Sequence, residues 1–101
     1  MRTLLLAGGL LLAGATSALA AGPIGNACQS SPRASGNRAL CDCIQQAADR
    51  TLSRSEQRRA AKFFKDPDEA QKVRMSKSDR DNQFWRNYKA FGDMAEAYCA
   101  R

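Results

Sequence analysis

Apolar positions between residues 39 and 101 recur every three or four residues, the spacing of one face of a helix. Up to about Leu52, this face consists of Leu40, Ile44, Ala47, Ala48 and Thr51. A longer stripe near the end of the chain consists of Phe84, Tyr88, Phe91, Ala95 and Tyr98. No segment shows the polar and apolar alternation, rich in Val, Ile and Thr, that is typical of a strand. The pattern therefore predicts an all-α protein.

Capping signals mark the helix boundaries between these two stripes. Ser53 and Glu56 form a capping box, in which the Ser hydroxyl accepts a bond from a free amide and the Glu reaches back. Asp66 before Pro67 predicts a capping carboxylate at the next helix, and Ser78 begins the last one. The chain is thus predicted to form about four helices. The helix after Ser53 is expected to turn inward Ala60, Ala61 and Phe64.

The first 38 residues lack this periodicity. Residues 1–20 contain Arg2, an apolar stretch and the sequence Ala18-Leu19-Ala20, which predicts a signal peptide cleaved after Ala20. Residues 21–38 are rich in Gly, Pro, Ser and Asn and predict an irregular arm pinned by Cys28. The helical domain is expected to span residues 39–101. Because no later segment approaches twenty apolar residues, the mature protein is expected to be soluble, either periplasmic or secreted.

Export places the four cysteines in an oxidising environment, where two disulfides are expected. On a helix, Cys41 and Cys43 lie about 200° apart, so they are not expected to bond to each other. Two pairings stay open, and each connects one of these residues to Cys28 and the other to Cys99. Closing a loop of about 55 residues stabilises the fold by roughly 4 kcal/mol. These bridges are therefore expected to hold together a core that is marginal for its size.

The positive charge is concentrated in one short stretch. The 101-residue chain has 16 Lys and Arg against 10 Asp and Glu, and residues 50–65 contain six basic side chains and one acidic one. A basic helix face is predicted from Arg54, Arg58, Arg59, Lys62 and Lys65. Such a face attracts lipid headgroups, lipopolysaccharide or acidic proteins. The alternative is a solvated face that only keeps the protein soluble.

Other chemistries have weaker support. Cys41-Asp42-Cys43 matches a thiol-redox couple or a Cu(I) site, although structural half-cystines explain it as well. The chain has no His, nucleophile elbow or Gly-rich phosphate loop, so no enzyme, cofactor or metal site is expected. The aromatic residues are expected to form the core rather than a ligand pocket. Phe63 and Trp85, at the edges of their stripes, are predicted to be partly exposed.

Several runs resemble a group of small exported proteins from alphaproteobacteria. They are C-x-C-I-Q-x-A-A-D at 41–49, S-x-x-E-Q-x-x-A-A-x-F-F-x-D-P at 53–67, F-W-x-x-Y at 84–88 and a terminal A-Y-C. The group has no established activity, and some members carry an automatic "arginine transporter" name. Because a mature chain without a membrane span cannot form a pore, the resemblance implies at most an accessory role in basic amino-acid transport. The positive outer charge fits poorly with binding of arginine itself.

The sequence therefore predicts a small, monomeric, disulfide-stapled bundle that acts as a non-enzymatic interaction module. The expected partner is an anionic envelope component or an acidic protein, with peripheral membrane contact as one form of binding. Nucleic acid is not expected, because of the compartment and because Phe63 is the only candidate aromatic on the outer face. The alternatives are a thiol-redox or soft-metal protein using Cys41 and Cys43, and the transport accessory.

Overall fold

The computed structural model describes residues 22–32, 34 and 36–100, and the predicted signal peptide lies outside these residues. The described part of the chain is all-helical and contains no strand, which confirms the predicted fold class. It has five helices rather than about four: α1 (Pro23–Ser30), α2 (Arg38–Thr51), α3 (Arg54–Lys65), α4 (Pro67–Met75) and α5 (Asp79–Cys99). None of the helices in this part of the chain is both long enough and apolar enough to cross a bilayer.

The segment predicted as an irregular arm contains helix α1, so that prediction is wrong for Pro23–Ser30. Pro23 occupies the start of the helix, where its fixed φ is favourable and its missing N–H is not needed. The helix packs against α2 and α3 and buries Ile24, Gly25 and Cys28. Burial of this face stabilises a segment whose Gly and Asn content disfavours a helix on its own. Helix α1 is therefore part of the bundle.

Side-chain caps begin three of the helices, and two of them, at Ser53 and Ser78, were predicted. Asn37 accepts a bond from the Leu40 amide at the start of α2, and Ser78 accepts one from the Asp81 amide at the start of α5. Both bonds of the capping box between Ser53 and Glu56 are present.

Asp66 is the exception, since its side chain makes no capping bond to α4. The Glu69 amide, which a capping carboxylate could have bound, donates instead to the backbone carbonyl of Asp66 at 3.0 Å. The boundary before Pro67 is therefore where the sequence predicts it, but the carboxylate does not make the cap.

The core is built from the inward sides of all five helices: α2 packs most extensively against α5, and the aromatic side chains of α3 reach those of α5 beside this pair. Phe63 is only 6% exposed, so the prediction that it is partly exposed is wrong. Its ring meets those of Phe84 and Tyr88 edge to face, with centroids 6.0 and 5.1 Å apart. Phe64, predicted to point inward, is half-buried at the core boundary. The rotation of α3 that buries Gln57 and Ala60 also buries Phe63, one turn further along the same face.

The stripe on α5 is buried over only part of its length. Phe84 and Phe91 are buried, and Trp85 is half-buried against Tyr88, in agreement with its predicted partial exposure. Tyr98 continues the same spacing but is 68% exposed, which corrects its predicted place in the core. Periodicity gives the direction of a side chain around the helix axis, but it does not show whether a neighbour covers it.

A buried polar network connects the first three helices. The Gly25 amide donates to Gln45 Oε1 at 2.7 Å, and Gln45 Nε2 donates to Asp49 Oδ1 and Gln57 Oε1, both at 2.8 Å. Gln57 Nε2 donates in turn to the Leu52 carbonyl at 3.3 Å. No buried side-chain N or O atom in the described residues lacks a partner. The network therefore sets how α1, α2 and α3 meet without leaving a polar group unpaired.

Candidate anion-binding face

The two disulfides determine how α2 is joined to the rest of the molecule. Cys28 bonds to Cys41 and Cys43 bonds to Cys99, which confirms two bridges and selects one of the two pairings that the sequence left open. Cys41 and Cys43 leave α2 on different sides, so one joins α1 and the other joins the end of α5. All four cysteines are bonded, and the C-x-C pair is not a free dithiol.

Four of the five predicted basic residues lie exposed on α3. They are Arg54, Arg58, Lys62 and Lys65. Their spacing of four, four and three residues places them along one side of the helix. Gln57, Ala60 and Phe63 occupy the opposite side, against the core. We call these four residues the basic face.

Arg59 differs from the other four, although the sequence places it in the same group. Its Nη2 lies 2.7 Å from Asp81 Oδ1, and its guanidinium carbon lies 4.6 Å from the centroid of the Phe84 ring. Its side chain is half-buried, with 35% exposed. Arg59 therefore fastens α3 to the start of α5, and the structure does not place it among the free cations.

No acidic side chain among the described residues neutralises the basic face. Within the described part of the chain, Arg59–Asp81 is the single ion pair with an N to O distance of 4.0 Å or less. Glu56, the one acid on α3, is engaged elsewhere: one carboxylate oxygen accepts from the Ser53 amide at 2.8 Å and the other from Asn87 Nδ2 at 2.9 Å. The basic face is therefore an uncompensated row of positive charge.

A shallow cleft between α1 and α3 lies beside two of these cations. It has a volume of about 290 Å³, and its lining consists of Asn26, Ala27, Ser30, Ala61, Lys62 and Lys65. Ser30 Oγ donates to the Asn26 carbonyl at 3.2 Å, so the Ser30 hydroxyl on the α1 side is held in place. The two ammonium groups beside this polar cleft can together bind a single anionic group such as a phosphate.

A second hollow lies between α2 and α5, and the sequence did not predict it. It has a volume of about 210 Å³, and its lining consists of Cys43, Gln46, Ala47, Arg50, Met94 and Tyr98. We call it the α2–α5 hollow. The one sequence signal nearby, the stripe that ends at Tyr98, indicated core and so pointed away from an open surface.

The perturbed titratable groups belong to caps and to the core. Burial raises the pKa of Glu56, but bonds from the Ser53 amide, Asn87 and the Ser53 hydroxyl together leave it below its ordinary value. Bonds from Arg59 and Ser76 lower the pKa of Asp81, and burial raises the pKa of Tyr88. The described residues contain no group of three or more Cys, Asp or Glu placed to hold a metal ion. The prediction that the chain is not an enzyme stays a prediction.

Comparison with known proteins finds no matching family model, no matching curated protein and no matching solved structure. The resemblance to small exported alphaproteobacterial proteins therefore stays a prediction.

Proposed function

We propose that the protein is a non-enzymatic exported module that binds an anionic component of the cell envelope through the basic face. The observation that carries this proposal is the row of four exposed cations with no acidic partner in the described residues. Like charges four residues apart destabilise a helix by roughly 0.2–0.5 kcal/mol per pair. Arg54, Arg58 and Lys62 form two such pairs, and no ion pair with a described acid offsets this cost.

The attachment is electrostatic rather than insertive. The apolar side of α3 packs into the core through Ala60 and Phe63, so the helix has no free apolar face to place among acyl chains. A Lys or Arg near an anionic membrane contributes about 1 kcal/mol. Four such residues give about 4 kcal/mol, which corresponds to a millimolar dissociation constant. Binding is therefore weak for one molecule and decreases steeply as salt rises, since the Debye length is only about 10 Å at 0.1 M.

The compartment is part of the same proposal. Disulfides persist in oxidising surroundings, and two of them in this chain fit a protein outside the cytoplasm. The cleaved leader at residues 1–20 and the assignment to the periplasm or to secretion are proposed on that basis. In the periplasm the basic face would meet anionic lipid headgroups, and outside the cell it would meet lipopolysaccharide on the cell surface.

Vesicle co-sedimentation tests the proposal. The oxidised protein is mixed with vesicles of phosphatidylglycerol and phosphatidylcholine, or of phosphatidylcholine alone, over a range of salt concentrations. We expect retention on the anionic vesicles at low ionic strength and none on the neutral ones. The triple variant Arg54→Gln, Arg58→Gln and Lys62→Gln should bind about 100-fold more weakly, since three contacts of about 1 kcal/mol are lost.

A matched control separates the effect of the basic face from the effect of net charge. It is a second triple variant that also removes three positive charges, but from exposed positions outside α3: Lys72→Gln, Arg74→Gln and Lys77→Gln. This control should lose only a small part of the retention, because its charges lie off the binding face. Equal losses in the two triple variants, or no binding at low salt, would contradict the proposal.

A further inference from the structure

The α2–α5 hollow combines a buried apolar floor with an exposed rim. Ala47, 4% exposed, forms the floor, and half-buried Met94 and Cys43 form its sides. Gln46, Arg50 and Tyr98 are exposed at the rim. Tyr98 is one of two large hydrophobic residues exposed in the described chain, and at 68% exposure it contributes little to the core. The hollow is therefore an apolar recess whose aromatic and cationic edges are open to a partner.

The size of the hollow limits what it can hold. Small-molecule sites have volumes of about 300–1,000 Å³ and enclose most of their ligand. At about 210 Å³ the hollow is smaller than this range and open to solvent, so it matches a single apolar side chain better than a whole ligand. Tyr, Arg and Met, which all line it, are enriched at protein interfaces. Size and composition together favour a protein segment as the occupant.

The positive charge of Arg50 at the rim indicates which residue the partner carries next to its apolar side chain. Arg50 is exposed in the last turn of α2 and makes no ion pair with any described acid. A guanidinium at the edge of an apolar recess, where part of the solvent is displaced on binding, favours a carboxylate with bidentate geometry. Asp49, the acid next to it in the chain, is already bonded to Gln45 and Gln57. The positive rim of the hollow is thus complementary to an acidic residue on the partner.

We propose that the α2–α5 hollow is a docking site for a protein segment that presents an apolar side chain next to an acidic residue. The apolar side chain enters the recess above Ala47 and against Met94 and Tyr98, and the carboxylate pairs with Arg50. This surface is distinct from the basic face, and the proposal does not depend on membrane binding. The end of the hollow near the Cys43–Cys99 bridge is rigid, since that bridge joins its two helices. The site is therefore largely preformed.

The docking site can be tested by titrating the oxidised protein with three short probes. Binding is measured from the changes in amide chemical shifts in NMR spectra. The probes are acetyl-Leu-Asp-amide, acetyl-Leu-Asn-amide and acetyl-Gly-Asp-amide. The second removes only the charge, and the third removes only the apolar anchor. We expect the first to shift the amides of Ala47, Arg50 and Tyr98 with a millimolar dissociation constant, and each of the other two to bind at least fivefold more weakly.

Two pairs of variants locate the interaction on the protein. Arg50→Gln should reduce affinity for acetyl-Leu-Asp-amide to that of acetyl-Leu-Asn-amide, whereas Arg58→Gln on the basic face should not change it. Tyr98→Ala should weaken binding, whereas Met75→Ala, which removes the other exposed apolar side chain, should not. All four positions are exposed, so folding should be preserved in each variant.

Equal binding of the charged and the neutral probe would overturn the docking proposal. So would shifts that follow the exposed residues of α3 rather than the hollow, or affinity unchanged by Arg50→Gln. Measuring the retention of Arg50→Gln on anionic vesicles keeps the two proposals separate. If this variant loses probe binding but is retained on vesicles like wild type, the docking site is supported. If wild type binds the probe but neither wild type nor the variant is retained on vesicles, only the basic-face proposal is contradicted.

Discussion

Each of the two disulfides uses one cysteine of α2, and these two cysteines, Cys41 and Cys43, are only two residues apart. The two bridges nevertheless lie in different environments. Cys28 and Cys41 are 1% and 0% exposed, and they lie beside the polar network that joins α1, α2 and α3. Cys43 and Cys99 are half-buried, and Cys43 borders an open hollow. The buried bridge spans 13 residues and the accessible one spans 56. We call the two surroundings the buried side and the open side.

This difference separates two ways in which a covalent bond stabilises a small bundle. The bridge on the open side acts mainly on the unfolded chain, since closing its long loop removes conformational entropy. The bridge on the buried side closes a short loop and also fills space in the interior. Removal of either bridge therefore destabilises the protein for a different physical reason, and each reason can be tested.

The largest effect is expected from removing the buried bridge with Cys28→Ala and Cys41→Ala. The loss of loop closure costs about 3 kcal/mol, and the space left by two buried sulfur atoms raises the total to about 5 kcal/mol. The free energy of unfolding in urea measures this change. A loss below about 3 kcal/mol would show that the interior refills and that burial of the bridge adds nothing.

Removing the open bridge with Cys43→Ser and Cys99→Ser should cost about 4 kcal/mol, almost all of it from chain entropy. No large cavity term is expected, because both residues are partly exposed. Hydrogen exchange should show the greatest loss of protection in the last turns of α5, which this bridge fastens to α2. Uniform loss of protection would mean that the bridge supports the whole bundle equally.

Reduction by dithiothreitol under native conditions should open the Cys43–Cys99 bridge first. A thiolate must reach a sulfur atom, and the buried bridge becomes accessible only when the structure opens locally. If that opening costs about 3 kcal/mol, the two rates differ by about 100-fold. Timed alkylation and peptide mass spectrometry measure both rates in one sample. Equal rates would contradict the contrast between the two environments.

On the buried side, Gln45→Leu should cost about 2–3 kcal/mol, because it leaves the Gly25 amide without its acceptor inside the protein. It also removes a bond to Asp49 and one to Gln57. Gln46→Leu, one residue along and exposed, is the matched control and should change stability by less than about 0.5 kcal/mol. Thermal melts compare the melting temperatures of the two variants. Similar melting temperatures would show that the network does not stabilise the protein.

The smallest effect is expected at the start of α5, at the far end of this helix from the open side, where Asp81→Asn removes the ion pair with Arg59. Bonding to Arg59 holds the pKa of Asp81 below its ordinary value. The stabilisation by the pair is therefore present above that ordinary value and is lost as the pH falls through the lowered pKa. The variant should therefore melt slightly below wild type at pH 7 and converge with it in acid. Asp79→Asn, which lacks this pair, is the control. A difference that grows in acid would contradict this sign.

The sequence was sufficient for features that depend on local chemistry. The capping box of Ser53 and Glu56, the cap at Ser78 and the boundary before Pro67 lie as predicted, because each depends on a few adjacent residues. The angle between Cys41 and Cys43 on a helix was enough to disfavour their pairing, and the structure confirms that they do not pair. It could not select between Cys28 and Cys99 as partners, because that choice depends on where α1 and the end of α5 pack.

The errors arise where burial overrides local preference. Helix α1 forms from a segment rich in helix breakers because Ile24 and Cys28 become buried. Phe63 and Phe64 are adjacent on α3, and a modest rotation of the helix determines which of them enters the core. The Gln45 network has no sequence signature, since a glutamine within a helix is normally a surface residue. Tyr98 follows the core spacing, but no helix in the described part of the chain covers it.

For this protein, the sequence by itself determined the helical class, most helix boundaries, the number of bridges and the row of positive charge on one segment. These follow from spacing, capping chemistry and cysteine count, all of which act within a few residues. Only the tertiary structure decided which cysteines pair, which basic residue forms an ion pair with Asp81 and where the α2–α5 hollow lies. Each of these depends on the distance between groups far apart in the chain, and packing of the helices sets that distance.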